Sequence, residues 1–586
     1  MLQIINGQSH NGFLLAAIVG PVLYILYILY LRLLPKPIPG IPYNKNAARS
    51  VLGDMLSLAK HATATGEPMD WFRQQAMKHS SPLCQVFVRP FAPPIVLLSD
   101  FREVQNMMLS RNKEFDRSRI FRDILGDAGP HHHIMKKTGP EWANQRKLLN
   151  DLMTPRFMHT VAAPHIYAGV ESLIKLWEIK IELAEGRPFD ADLDAYYLAL
   201  DAVVAFSYGA SYPHRALLPQ IDLLRSFQPK DSARLHQGST GQTAIRFPEA
   251  KVDRALKDTL TMVKTAEVMQ ASVVPRLTWW WLSKTPKIRN AWKARDEFVA
   301  GQIQKAVERM HSMNDAGDEW LGNAVDLIVS RERQFAKKED RDPQYVTQVI
   351  IEEVFGFTMA GHESSSSTIL WALKYITSSL EVQEKLRIHL RRSHSAAFVE
   401  KRAPTVEEII RARIPYLDAV MDEVLRLGSP IPFLARDAET DDAEILGVHI
   451  PKGTIVFAHT LGPSMTSPKI DIEDKLRHPT SEGSKTGEWS PEDMAVFRPE
   501  RWLALNETTH EEEYNPNAGP FLSFGLGQRG CFGRRLGLFE FRISLTLLLW
   551  HFQFLPVPEA LSGFEARDAL TRRPKHAVVK ARKLSY

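Results

Sequence analysis

Cysteine is nearly missing from this chain: 586 residues carry two, Cys84 and Cys531. That count rules out a disulfide framework and a zinc site built from three or four thiolates. A surplus of one charge is missing too, since 73 basic residues face 68 acidic ones. No basic tract or aromatic-interleaved patch stands out, so nothing points to nucleic acid. There is no strand-associated G-x-G-x-x-G, hence no second domain for a flavin or nicotinamide. Internal repeats and low-complexity tracts are absent. Met1 to Asn11 holds no lysine or arginine, and no A-x-A site comes after the apolar run behind it, which argues against a cleaved signal peptide.

What is present centres on Cys531, in Phe524-Gly525-Leu526-Gly527-Gln528-Arg529-Gly530-Cys531-Phe532-Gly533. The glycines let the backbone approach a flat ligand closely and take up positive φ. A cation two residues before the thiol favours thiolate. A thiolate with donors around it suits an axial haem-iron ligand, because it pushes electron density onto the metal. Cys84 reads as a small packing residue on a strand.

The loop fits F-x-x-G-x-R-x-C-x-G at every fixed position, and so resembles the haem-binding segment of the cytochrome P450 superfamily, the haem-thiolate monooxygenases. Further motifs match in the family's order. Glu423-Val424-Leu425-Arg426 is an E-x-x-R whose charges share a helix face. Phe497-Arg498-Pro499-Glu500-Arg501-Trp502 is similar to the P-E-R segment, with tryptophan for its usual phenylalanine. The resemblance implies a structural cluster of Glu423, Arg426 and Arg501 behind the haem. It also implies one large domain, mainly α with small β-sheets, over residues 51–586. The 44% apolar content allows a core of that size.

Phe13 to Leu31 runs uncharged and continues into Leu33-Leu34, long enough for a transmembrane anchor at 13–34 behind a short lumenal tail at 1–12. Arg32, Lys36 and Lys45 place the chain beyond the anchor in the cytosol. Four prolines between Pro35 and Pro42 predict a stiff, extended linker at 35–50. The family resemblance implies the endoplasmic reticulum membrane, with the sequon at Asn506 facing the cytosol and unmodified. Cys84 to Val88 and Pro94 to Leu98 read as strands. Gln344 to about Leu380 reads as the longest helix. Residues 228–243 and 467–491 read as polar surface insertions.

On that helix, Ala360-Gly361-His362-Glu363-Ser364-Ser365 resembles the family's A-G-x-[D/E]-T-[T/S] motif. It implies that Ala360 and Gly361 leave room for dioxygen, while Glu363 and Ser364 deliver protons to it. Serine stands where threonine is usual; it keeps the hydroxyl but loses the branch that stiffens χ1. His362 is the variable position. The resemblance places Phe524, Gly527, Gly533, Trp142, Arg146, Arg436 and Arg529 around haem b, with the arginines on its propionates. Phe357, Met359, Ile431 to Leu434 (Phe433 among them) and the stretch Ile120 to Met135 are expected to line an apolar substrate pocket.

The cofactor expectation is haem b, with NADPH acting indirectly through a separate membrane-bound NADPH–haemoprotein reductase that docks near Arg534, Arg535 and Lys147. Cytochrome b5 is a further partner. Membrane lipid and a hydrophobic small molecule complete the set; Phe115-Asp116-Arg117-Ser118, Ala435-Arg436-Asp437 and the long insertions resemble fungal microsomal members of the family, which implies secondary-metabolite biosynthesis. Alternatives are a haem-thiolate isomerase or dehydratase working without O2, a sterol or fatty-acid oxidase, and a haem-binding protein without turnover. Trp279-Trp280-Trp281 is either an interfacial anchor or core packing. The consecutive His131-His132-His133 do not readily converge on one metal ion.

Overall fold

Six helices and one mixed sheet position the site. In chain order the helices are α1 (Pro140–Leu149), α2 (Asp192–Tyr208), α3 (Pro275–Leu282), α4 (Gln348–Ser378), α5 (Pro415–Gly428) and α6 (Arg534–His551). The computed structural model describes residues 19–125, 129–210, 212–236, 242–313, 320–481 and 485–585. Helix α4 has 31 residues, most of them buried. A helix apolar on every side belongs inside a core, and this one crosses it. It starts four residues later than its apolar pattern suggests, because Thr347 accepts from Ile350 N–H as an N-cap. Helix α2 packs along it. A Cβ on Gly361 would come within 2.8 Å of Val203 Cγ2, so the bare glycine lets two buried helices approach.

The sheet has five strands: β1 (Leu83–Val86), β2 (Ile95–Leu98), β3 (Phe115–Arg117), β4 (Phe433–Ala438) and β5 (Ile455–His459). Their spatial order is β1-β2-β5-β4-β3. Only β2 with β5 is parallel, Ile95 opposite Ile455. β3 and β4 are antiparallel and set Arg117 directly opposite Arg436. The first two strands fall within two residues of their expected bounds. Cys84, on β1 opposite Leu97, is fully buried, and burial pushes its thiol up to about 12, as a packing role requires.

Two expectations are corrected by the geometry. The proline-rich segment is extended but not a free connector: Ile38 N–H donates to Gln85 Oε1, and Gln85 Nε2 donates to the carbonyls of Ile38 and Ile41, each at 2.8 Å. Both isoleucines are buried. The insertion at 467–491 is not only surface, because it delivers the buried Trp489 to the centre of the E-x-x-R cluster. The earlier insertion forms a short helix, Pro229–His236, before running beyond the described residues. No helix among the described residues is long and apolar enough to cross a membrane. The expected span at 13–34 lies partly outside them. Its described part is a helix over 19–33 that exposes Leu23, Tyr24, Ile25, Leu26 and Tyr27.

Candidate active site

The Cys531 loop is shaped by backbone contacts. Gly525 and Gly527 have φ of +63° and +68°. At Gly527 a Cβ would lie 2.5 Å from Met108 O, so no other residue fits. Cys531 N–H donates to Phe524 O at 2.7 Å, and Gly530 N–H to Gly527 O at 3.0 Å. Helix α6 begins at Arg534, immediately after Gly533. The sulfur therefore sits at a positive helix end, where an anion is favoured.

Burial pushes the Cys531 thiol up, while a hydrogen bond from Gly533 N–H and the charges of Arg146, Arg534 and Arg117 pull it down. Arg529, the cation that spacing assigns to the sulfur, turns instead to Lys136 O at 2.8 Å and lies over the Trp142 ring at 4.6 Å. Arg146 covers Phe532 at 4.3 Å and, further off, Trp142 at 5.9 Å.

Cys531 opens onto a cavity of about 420 Å3. Its walls include Phe524, Gly533, Trp142, Arg146, Arg436 and Arg529, then Phe357, Met359, Ala360, Gly361, Glu363 and Ser364, then Ile431, Phe433 and Leu434. The expected cofactor, oxygen and substrate residues thus share one chamber. Gly527 stays outside it, under Met108. Of the stretch Ile120 to Met135, Phe121, Ile124, Leu125, His132, His133 and Ile134 reach the chamber, and residues 126–128 lie outside the described set. Gly361 turns its bare face partly to Val203, so Ala360 is the small residue most open to the cavity.

Glu363 is 3% exposed, with Oε2 buried and unpartnered among the described residues. Burial raises it, while Arg573 pulls the other way. Ser364 Oγ donates to Ala360 O at 2.9 Å, one turn back along α4. A hydroxyl bonded to its own helix keeps its lone pairs free for another donor.

The guanidiniums of Arg117, Arg146, Arg436 and Arg529 are among the groups that line this cavity. Asp116 opposes them, already engaged by Thr138 N–H and Oγ at 2.7 Å. Arg117 Nε, Arg436 Nε and both Nε and Nη1 of Arg529 are buried with no hydrogen-bond partner among the described residues. Burial brings Arg436 and Arg529 down to about 10, and Arg117 well below its ordinary value. Unpaired buried donors of this charge call for anionic acceptors. Arg117 escaped the sequence reading, because only the β3–β4 register brings it beside Arg436.

Behind the loop, Glu423 takes Arg426 in two bonds of 2.8 Å, Arg501 Nε at 3.0 Å, Arg498 N–H at 3.1 Å and Trp502 Nε1 at 2.9 Å. Phenylalanine in place of Trp502 would offer no such donor. Trp489 lies under Arg426 and Arg501 at 5.3 and 5.5 Å and meets Trp502 edge-on at 4.8 Å. The expected trio is therefore assembled and enlarged by two indoles.

A profile described as Cytochrome P450 matches residues 48–465 and 488–581. Cytochrome P450 monooxygenase TRI13 of Fusarium sporotrichioides is 37% identical over 575 residues, covering 95% of this chain and 97% of that protein. Cytochrome P450 monooxygenase xilC of Penicillium rubens is 36% identical over 583 residues, covering 98% and 97%. The crystal structure of the cytochrome P450DA heme domain superposes with a TM-score of 0.63 at 19% identity, covering 94% of this chain and 98% of that one. This chain belongs to the cytochrome P450 family. The family implies haem, and the chamber fits it: one thiol, apolar walls, and orphaned guanidinium donors for two carboxylates.

Proposed function

We propose that the chain is a haem-thiolate monooxygenase that inserts one oxygen atom of O2 into a hydrophobic small molecule. The observation that carries this is the single chamber joining Cys531, the arginines with partnerless buried N–H groups and the Glu363–Ser364 pair. Haem, once bound, supplies the dioxygen chemistry. Cys531 would hold its iron through sulfur. Arg117, Arg146, Arg436 and Arg529 would hold its carboxylates and fix its tilt. Phe357, Met359, Ile431, Phe433 and Leu434 exclude water and orient an apolar substrate. Glu363, kept protonated to higher pH by burial, holds a proton at the chamber wall, and Ser364 Oγ can pass it inward.

Electrons come from outside the chain in this reading. Lys147, Arg534 and Arg535 are exposed near the Cys531 loop and suit an acidic reductase face. In reconstituted membranes, substrate oxidation is expected to need NADPH and reductase together; product formed without NADPH would favour the isomerase instead. With Ser364→Ala, haem content is expected to hold while product falls on the order of 10²-fold and NADPH is diverted to hydrogen peroxide. Equal product per NADPH in mutant and wild type would remove Ser364 from the proton path. The likeness to fungal monooxygenases supports a substrate from secondary metabolism.

The same proposal includes a single-pass anchor over 13–34, holding the domain on the cytosolic face of the endoplasmic reticulum. The exposed apolar side chains of the 19–33 helix support it. On α3, Trp279 packs inside against Trp292 at 5.4 Å, whereas Trp280 and Trp281 are exposed, with Lys284 Nζ 3.4 Å over Trp280. Indole beside ammonium is the composition of a headgroup-depth contact. A chain starting at residue 35 is expected to stay partly membrane-bound, and Trp280→Ser with Trp281→Ser to release it. Retention unchanged by the double substitution would end that role for α3.

A further inference from the structure

The three histidines between β3 and α1 take no part in the oxygen chemistry, yet the side chains of two of them close on α4. His131 N–H donates to Glu352 Oε2 at 2.6 Å, and His133 N–H to Glu353 Oε1 at 2.7 Å. The His133 ring adds Nδ1 to Glu353 Oε2 at 2.7 Å, and His132 Nε2 lies 3.4 Å from the same oxygen. Glu353 is fully buried. Consecutive side chains thus do converge, on a carboxylate.

The site has the makings of a metal centre, since His132, His133 and Glu353 offer ligand atoms within 4.8 Å of one another. One bond decides against it. Ile134 N–H donates to His132 Nδ1 at 3.1 Å, which leaves the ring proton on Nε2. His132 therefore points an N–H, not a lone pair, at Glu353. Burial lowers His132 to about 4 and His133 to about 3, so both rings stay neutral beside Glu353, with His133 bonded through Nδ1 and His132 in contact at 3.4 Å.

Sterics point the same way. A Cβ on Gly356 would lie 2.0 Å from His132 Nε2, so the imidazole occupies the space that glycine leaves on α4. His133 also meets Phe532, beside Cys531, with ring centres 6.1 Å apart. His132, His133, Ile134, Phe357 and Met359 line the same cavity.

We propose that His132, His133 and Glu353 form a clasp that pins residues 129–135 to α4 and sets the width of the substrate chamber. Glu353 is the positioning residue, and His132 with Ile134 limits the size of what reaches the thiol. This rests on the oxygenase reading only in taking the chamber as the substrate site.

The test uses the haem-loaded full chain with two probes, imidazole and the bulky azole clotrimazole, titrated by their spectral shifts. Hydrogen exchange of a peptide spanning residues 129–135 is measured in parallel. Glu353→Ala is expected to speed exchange there about 10²-fold, the loss of two charge-assisted hydrogen bonds. The clotrimazole-to-imidazole Kd ratio is expected to fall about tenfold, the scale of a methylene-sized change in an apolar pocket. Gly356→Ala buries no charge and is expected to give both effects, yet to be silent in a His132→Ala background. An unchanged ratio and unchanged protection overturn the clasp. So does a stoichiometric zinc ion that survives chelator in the wild type. Absence of any azole shift would fault the haem reading instead, with the exchange result still judging the clasp.

Discussion

Cys531→Ser is expected to reduce turnover to the level of the reductase alone and to abolish the red-shifted thiolate band of the reduced carbonyl complex. The substitution isolates the sulfur because little else depends on it. The loop is held by Cys531 N–H on Phe524 O and by the positive-φ glycines, all of which serine leaves intact. The side chain faces the chamber instead of filling a core. A neutral alcohol is a poor iron ligand and cannot supply the electron push of a thiolate. The protein is therefore expected to fold with ordinary thermal stability while its spectrum changes completely. A variant that kept the thiolate band would defeat the ligand assignment.

Glu423→Ala is expected to have the opposite signature, in which stability goes first. Glu423 accepts from two arginines, an indole and a backbone N–H, and is completely buried. Removing one partner of a buried ion pair leaves uncompensated charge and costs about 3–5 kcal/mol. Against a total of about 5–15 kcal/mol, that loss decides whether the chain holds its fold. Arg501 retains Asp493 Oδ1 at 2.9 Å and two carbonyls, and Arg426 retains the carbonyls of Met465 and Met494. The expected order of damage is thus Glu423→Ala, then Arg426→Ala, then Arg501→Ala, measured by thermal unfolding and by haem retained on purification. Equal stability of the first and last would mean that Glu423 is not the hub.

These two sites were readable because each depends on short spacing. E-x-x-R puts two charges on one turn of α5, and the Cys531 loop is ten consecutive residues. Residues that matter through strand register were not. Arg117 joins the guanidinium group because β3 pairs with β4 more than three hundred positions away. Trp489 lies in a polar stretch whose composition suggests solvent, and only the fold shows it between two arginines. The histidine run invited a metal question, and the bond from Ile134 N–H to His132 Nδ1 answered it in a way no spacing could. Gly361 lines the chamber, and its lack of a side chain also admits Val203 from the neighbouring helix, a second use that no spacing reveals. At the amino terminus, apolar length and the flanking charges carried the anchor expectation, since a single span has few tertiary contacts to read.

During synthesis, β2 waits for β5, which lies about 360 residues later in the chain. At about 5–20 residues per second, the ribosome takes about 20–70 s to deliver it. Throughout that interval the inner edge of the β1–β2 hairpin is an open template for stray strands. Its outer side is guarded at once, because the segment around Ile38 and Ile41 emerges first and docks on Gln85. The proline-rich stretch therefore acts as a local shield for a nascent hairpin whose other edge stays open until the far strand arrives.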